Sequence, residues 1–273
     1  MENLVDYPRN KVTIVTAFKD LGREKWSGER NGRKIPNYIA RTREQYFERF
    51  YTLCENVNND IIVYMDSKYI DEVKNKNYKN VTIINIDTIL ESHLANTIRN
   101  KISKIQRNSN FIEFVDNPQF PEYWDADYVL INMLKSNFVS LSTKYIKTDV
   151  AAWVDFGYAR DKELFERNKG KTFVFDTRGK INLFLNKQLT DEPLFSIIKS
   201  GEVFIRGCII IGPTLLFNCM DVAMIESCKV MTDLGLIDDD QTGLLFAYRT
   251  YSSMFYLNEG KQNWFEDVCD NMV

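Results

Sequence analysis

The sequence predicts an α/β protein with a central, mainly parallel sheet. Three observations carry that prediction. Short β-branched runs alternate with helix-length amphipathic stretches between Lys11 and Asp87. A further apolar run, TDVAAWVDF, follows a long helical stretch. The C-terminal half then mixes strand-rich pieces with helices, which predicts antiparallel strands joining the sheet in the third quarter of the chain.

KVTIVTAF (Lys11 to Phe18) reads as a buried strand ended by DLGR. From Arg41 to Val57, Tyr46, Phe50, Leu53 and Val57 share one face while Arg43, Glu44 and Glu48 lie elsewhere, which predicts an amphipathic helix. NDIIVYMD is a second strand, SKYIDEVK a short helix with Ser67 as its cap, and NVTIINID a third strand. This order is that of a parallel sheet with helical crossovers. Thr88 to Arg107 reads as helical, and DNPQFPEYWD as a proline-bearing loop. A single long helix is then expected, with Ile131, Leu134, Phe138, Leu141 and Tyr145 recurring three and four apart. On that helix Lys135 lies beside the apolar face, its stem running along it and its ammonium reaching toward a cleft. The runs at 11–18, 60–65, 81–86 and 150–156 are expected to be neighbouring strands. Beyond them come TFVFDTRG, EVFIRGCIIIGP, a helix over Val222 to Leu234, and DDDQTGLLFAYRTY.

With 273 residues, 44% of them hydrophobic and 27% charged, the chain has the composition of one folded domain. A net charge of −3 argues against a broadly basic nucleic-acid protein. The five cysteines form no C-x-x-C pair and are odd in number, so reduced thiols in a cytoplasmic-type compartment are expected and a zinc site is not. MENLVDYPRNK has no apolar leader region, and no run reaches the ~18 apolar residues of a membrane span.

In open α/β sheets, ligands bind outside the carboxyl ends of the strands. Four such ends carry polar or small residues: Thr16, Ala17 and Phe18 with Asp20 and Arg23; Asp66; Asp87; and Asp155 with Gly157. Turn chemistry accounts for Asp66 and Asp87. Asp155 is different, because WVDFGYAR flanks it with aromatics and follows it with a glycine that admits a ligand's close approach. An unpaired charge at the end of a buried strand is costly, and a divalent cation carrying phosphate oxygens would satisfy it.

Aspartates 238, 239 and 240 with Gln241 form a second polar knot. Capping at a helix start explains Asp238 and Asp239. For Asp240 both a cap and a site role stand. Gly207 and Gly212 fit either a strand passing close to a ligand or ordinary strand punctuation. Trp26, Trp124 and Trp264 read as core or rim residues or as sugar-stacking platforms, and His93 as a helix-surface residue. Arg99, Lys101, Lys104 and Arg107 read as a solvated face, with lipid head groups as the alternative.

VTIVTAFKDLGR, the helix bearing Arg41, Thr42 and Tyr46, IIVYMD, the stretch around Lys135, WVDFGYAR and DDDQTGLL resemble, in that order, the HtrL/YibB family. Their order is also similar to the GT-A glycosyltransferase architecture, in which a first strand holds the nucleotide base and an acidic element ends the fourth. The resemblance spans nearly the whole chain. It implies one GT-A-like domain, with a nucleotide-binding half (1–160) and an acceptor-side half (161–273). It implies that Thr16, Ala17 and Phe18 line the nucleobase and ribose, with Gly157 also at the nucleotide. Arg23 and Lys135 would face the diphosphate, Asp155 would hold Mn²⁺ or Mg²⁺, and Asp240 with Gln241 would serve the acceptor and the reacting carbon. V-D-F-G offers one carboxylate where the D-x-D element has two.

The expected activity is therefore sugar transfer from a nucleotide-diphosphate donor, such as a UDP-sugar, to a hydroxyl acceptor on a glycan, lipid-linked glycan or protein. The alternatives are a non-catalytic nucleotide-sugar-binding protein and a nucleotidyltransferase. KDLGREKW lacks the glycine-rich basic loop that the second would need. A cytoplasmic place with peripheral membrane contact suits a lipid-linked acceptor.

Overall fold

The computed structural model describes residues 9–273. The expected absence of a leader rests on Met1 to Lys11, and its first eight residues lie outside the described part.

Strand β1 (Asn10–Phe18) leads into a small hairpin, β2 (Glu29–Arg30) and β3 (Arg33–Lys34). Helix α1 (Arg43–Asn56) follows, opened by a capping box in which Thr42 accepts from the Gln45 N–H and Gln45 reaches back to Thr42. Then come β4 (Ile61–Met65), α2 (Ile70–Lys74), β5 (Val81–Asn85), α3 (Asp87–Leu90), α4 (His93–Gln106) and α5 (Ser109–Phe114). Two helices, α6 (Ala126–Met133) and α7 (Lys135–Ser142), precede β6 (Val150–Val154). The remainder is α8 (Lys162–Arg167), β7 (Val174–Phe175), β8 (Ile181–Phe184), α9 (Leu194–Ser200), β9 (Ile209–Pro213), α10 (Leu216–Asp233), α11 (Asp240–Thr250), β10 (Phe255–Asn258) and α12 (Asp267–Asp270).

The main sheet runs β10-β8-β9-β6-β1-β4-β5, with β7 paired antiparallel to the start of β1. β6, β1, β4 and β5 are parallel neighbours, so the four strands expected together lie side by side. β9 runs antiparallel to both β6 and β8, while β8 and β10 are parallel. The chain thus builds outward from β1 to β4 and β5, then returns to place β6 on β1's other side. That reversal is a switch point, where two adjacent strand ends part to leave a crevice.

Helices cover both faces, which explains why β1, β4 and β6 read as continuous apolar runs. Val12, Ile14 and Phe18 point into one core with Phe47, Phe50 and Leu53 of α1. Val15 and Ala17 point into the other, packed by α4, α6, α7, α10 and α11. Both expected halves contribute strands to this one sheet.

Several local expectations are corrected. The helix over Thr88 to Arg107 is two helices, because Ser92 caps the Ala95 N–H and restarts the second. The long helix through Ile131 to Tyr145 breaks at Leu134, whose ψ of 6° is not helical. The new helix takes its own phase, leaving Phe138 buried but Leu141 and Tyr145 exposed. Helix α10 starts at Leu216, ahead of Val222, and ends at Asp233. Asp66, not Ser67, caps the turn after β4, accepting from the Lys68 N–H.

Candidate active site

The switch-point crevice is a cavity of about 260 Å³. Its floor is built by the ends of β1 (Ala17, Phe18) and β6 (Trp153, Asp155, Phe156) and by Gly207 and Cys208 at the start of β9. Because β9 runs antiparallel, it begins at the edge where its parallel neighbours finish. Helices α6 and α7 supply Tyr128, Asn132 and Lys135, and the N-terminus of α11 supplies Asp239, Asp240 and Gln241.

At the centre stands the Lys135 ammonium. It lies 3.0 Å from Asp155 Oδ1 and donates at 2.9 Å to Asp240 Oδ2 and at 2.9 Å to the Gly207 carbonyl. Its three protons match these three oxygens. The Lys135 and Asp240 side chains are 6% and 4% exposed, whereas Asp155 is 37% exposed and opens to the cavity. Trp153 Nε1 also donates to Asp155 Oδ1 at 2.8 Å, and the Asp155 N–H donates to the Cys208 carbonyl. The charge at the end of β6 is thus met by an internal cation.

Burial alone would lower the Lys135 pKa, but Asp155 and Asp240 outweigh it and the net shift is upward. Burial raises Asp240 and Asp155 adds to the rise, while Lys135 restrains it. Asp239 is pushed well above the usual carboxylate range by burial, then by Asp240, Asp238 and Glu122. As expected, Asp239 caps α11, accepting from the Gln241 N–H; Asp238 does not cap the helix but is buried, accepting from Thr242 Oγ1 and the Asp239 N–H. Asp240 alone turns to Lys135.

Gly207 has a physical reason in this arrangement. A Cβ there would stand 1.9 Å from Asp240 Oδ2, so only glycine lets the carboxylate rest on the start of β9. A Cβ on Gly212 would meet Ile181 Cδ1 at 2.4 Å, a constraint between neighbouring strands. At Gly157 the close neighbour is the Tyr46 ring, 3.1 Å from a Cβ, so that glycine first serves packing beneath the cleft.

The other expected residues divide. Ala17 and Phe18 line the cavity, but Thr16 is fully buried and turned away from it. Arg23 lines the wall, yet its guanidinium is engaged by the Ile39 carbonyl and the Tyr46 hydroxyl and lies over Trp26. Asp66 and Asp87, read as turn residues, also share Lys19, at 3.2 and 2.7 Å. Trp26 packs on Trp124 in a small separate core, and only Trp264 of the three reaches the cavity. His93 is exposed at the start of α4. In the Arg99 cluster, Arg99 pairs with Asp127 and Lys101 with Asp233, so half of it serves the protein's own carboxylates. Asp239, read from the sequence as a cap, and Arg41 and Arg160, quoted there only within longer stretches and given no site role, line the same cavity.

A divalent cation can be tested against this donor set. Asp155 Oδ1 is committed to Lys135 and Trp153, which leaves Oδ2 free, and Asp240 Oδ2 is committed to Lys135. Among the described residues, no three His, Cys, Asp or Glu side chains converge as a metal cage. Asp155 Oδ2 is thus the carboxylate oxygen of the Lys135–Asp155 pair left open to a ligand in the cavity.

Fold and site together define an α/β protein with a charged cleft at the switch point of its sheet. The chain belongs to the HtrL/YibB family: the family described as "Bacterial protein of unknown function (HtrL_YibB)" matches residues 10–269. Protein HtrL of Escherichia coli (strain K12) is 30% identical over 268 residues, covering 94% of this chain and 91% of that protein. No helix of the described residues is long and apolar enough to cross a membrane.

Proposed function

We propose that the chain is a GT-A-type glycosyltransferase, moving a sugar from a nucleoside-diphosphate donor to a hydroxyl acceptor on a glycan, a lipid-linked glycan or a protein. One observation carries the reading. A single cleft at the ends of β1 and β6 joins a carboxylate group, Asp155, Asp239 and Asp240, to a wall bearing Arg41 and Arg160. Breaking a glycosyl–phosphate bond creates positive charge on the sugar carbon and negative charge on the departing diphosphate, and this cleft has a preorganised partner for each. The place of Asp155 at the end of the sheet's fourth strand in chain order also supports the GT-A reading.

In that reaction the bond from the sugar carbon to the diphosphate oxygen breaks, and its electron pair leaves with the nucleotide. The acceptor oxygen forms the new bond and releases its proton to a carboxylate. Burial gives Asp239 and Asp240 the raised proton affinity that suits this role. Asp240 already holds Lys135 through Oδ2, so the proton would arrive at its other oxygen or at Asp239. Gln241, at the same helix start, lines the cleft and would donate a hydrogen bond to the acceptor. Ala17 and Phe18 offer an apolar edge for the base. Mn²⁺ or Mg²⁺ entering with the donor would have Asp155 Oδ2 as its protein ligand and would supply charge neutralisation to the leaving diphosphate.

The test is a panel of UDP-, GDP- and CMP-sugars, with and without Mn²⁺, read by thermal shift and by release of free nucleotide. A raised melting temperature with slow nucleotide release is expected for one donor class. Binding without release under any condition would favour the non-catalytic reading, and no response to any donor would refute both.

A further inference from the structure

The cations expected at the diphosphate, Arg23 and Lys135, are both held by groups of the protein itself. Three other guanidiniums are not. Arg41 precedes the cap of α1, Arg49 lies on α1, and Arg160 follows the Gly157 turn after β6. Arg49 runs beneath that turn, its Cδ 3.8 Å from where a Gly157 Cβ would be. Arg160 lies 3.8 Å over the centre of the Phe265 ring, which itself lines the cavity. Among the described residues, no carboxylate pairs with any of the three, although Arg43 close by is held by Glu44 and Glu72. Arg49 Nη1 is buried and makes no hydrogen bond. Desolvation and then the mutual repulsion of the cluster bring Arg160 down to about 10, and Arg49 is lowered for the same reasons.

Like charges gathered without a paired carboxylate are destabilising, with only the unpaired pull of Asp155 on Arg160 and of Glu48 on Arg49 to offset them, and a buried guanidinium proton without an acceptor adds to the cost. An anion with several oxygens relieves both at once, because arginine forks match phosphate geometry. We propose that Arg41 and Arg160, which line the cleft wall beside Asp155, form the seat of the donor's diphosphate, with Arg49 adding its charge from beneath the Gly157 turn. This assignment rests on the reading of the cleft as a nucleoside-diphosphate site, and it replaces Arg23 and Lys135 as the anion's partners. Lys135 instead is occupied by Asp155 and Asp240, leaving the arginine wall to receive the leaving group.

The test is calorimetric titration of inorganic pyrophosphate into the full chain and into Arg49→Gln and Arg160→Gln, with urea unfolding of each protein alone. The parent is expected to bind pyrophosphate, Arg160→Gln to bind it at least about tenfold more weakly, the loss of one charged hydrogen bond or more, and Arg49→Gln to weaken it by less, the loss of a charge behind the wall. Without anion, both variants should be as stable as the parent or more so, since each relieves repulsion. Arg160→Gln, on the exposed side of the cluster, keeps the test decisive should Arg49→Gln fold poorly. Equal binding by parent and Arg160→Gln, or no binding by the parent, overturns the assignment. Nucleotide release from sugar donors reports separately on the transferase reading: arginine-dependent pyrophosphate binding without turnover keeps the seat and removes the transferase, and turnover with arginine-independent binding does the reverse.

Discussion

Replacing Lys135 by methionine keeps the stem in its apolar groove and removes only the ammonium between two carboxylates. Asp240, 4% exposed, then keeps a charge with no cation beside it, and the Gly207 carbonyl loses its donor. Removing one partner of a buried ion pair typically costs about 3–5 kcal/mol. Asp155 is 37% exposed and can regain water, which discounts its share, so a loss of about 3 kcal/mol is expected near neutral pH. Adding Asp240→Asn removes the stranded charge and should recover most of that loss, giving a coupling of about 2 kcal/mol in the double-mutant cycle.

The loss also has a direction with pH. Without Lys135, the one strong influence restraining the Asp240 carboxyl is gone, and its folded pKa rises further above the unfolded value of about 3.9. The folded variant then holds a proton that the unfolded chain has released, so its stability is greatest below the unfolded pKa and falls as pH rises through the folded one. The deficit should therefore be smaller near pH 5 than near pH 8. In the parent, the raised Lys135 pKa keeps the ammonium's contribution intact through this range; it is lost only above the ordinary lysine value of about 10.4. Urea unfolding at both pH values measures all of this. A deficit under about 0.5 kcal/mol, the size expected for a solvated lysine, would refute the buried clamp, as would a deficit that grows on acidification.

Three further outcomes are expected. Gly207→Ala places a methyl 1.9 Å from Asp240 Oδ2 and should cost about 1–3 kcal/mol in urea unfolding, more than Gly157→Ala, whose methyl meets the Tyr46 ring at 3.1 Å. Asp155→Asn keeps an oxygen for Trp153 and Lys135, so the protein should fold, but Mn²⁺-dependent nucleotide binding should fall about tenfold in calorimetry; unchanged binding would remove Asp155 from the cation site. Burial pushes Glu122 up to about 8, with Asp238 adding to the effect, and Asp238 itself to about 7, so unfolding free energy should fall as pH rises from about 5 through these values. Glu122→Gln should flatten that slope, and an unchanged slope would contradict the assignment.

The strands were legible because β1, β4 and β6 are buried on both faces, which writes a continuous apolar run into the chain itself. Asp155 was legible for a related reason: a carboxylate between aromatics at the end of such a run demands a partner. The partner was not legible. Lys135 lies 105 residues from Asp240 in sequence, and helical periodicity places it only beside an apolar face. Its exact reach depends on the break at Leu134, where one non-helical ψ resets the direction of every later side chain on α7. The glycine at 207 read equally well as punctuation until α11 brought Asp240 against it. Arg41 and Arg160 lay in stretches that carry the family resemblance, but nothing local gave them or Arg49 a role, since an arginine on a helix or after a turn is ordinary surface chemistry. Local sequence sets backbone preference and burial, which act over a few residues. Charge placement at a switch point depends on which strand and helix ends the chain's long-range pairing brings together, and only the tertiary structure decided that.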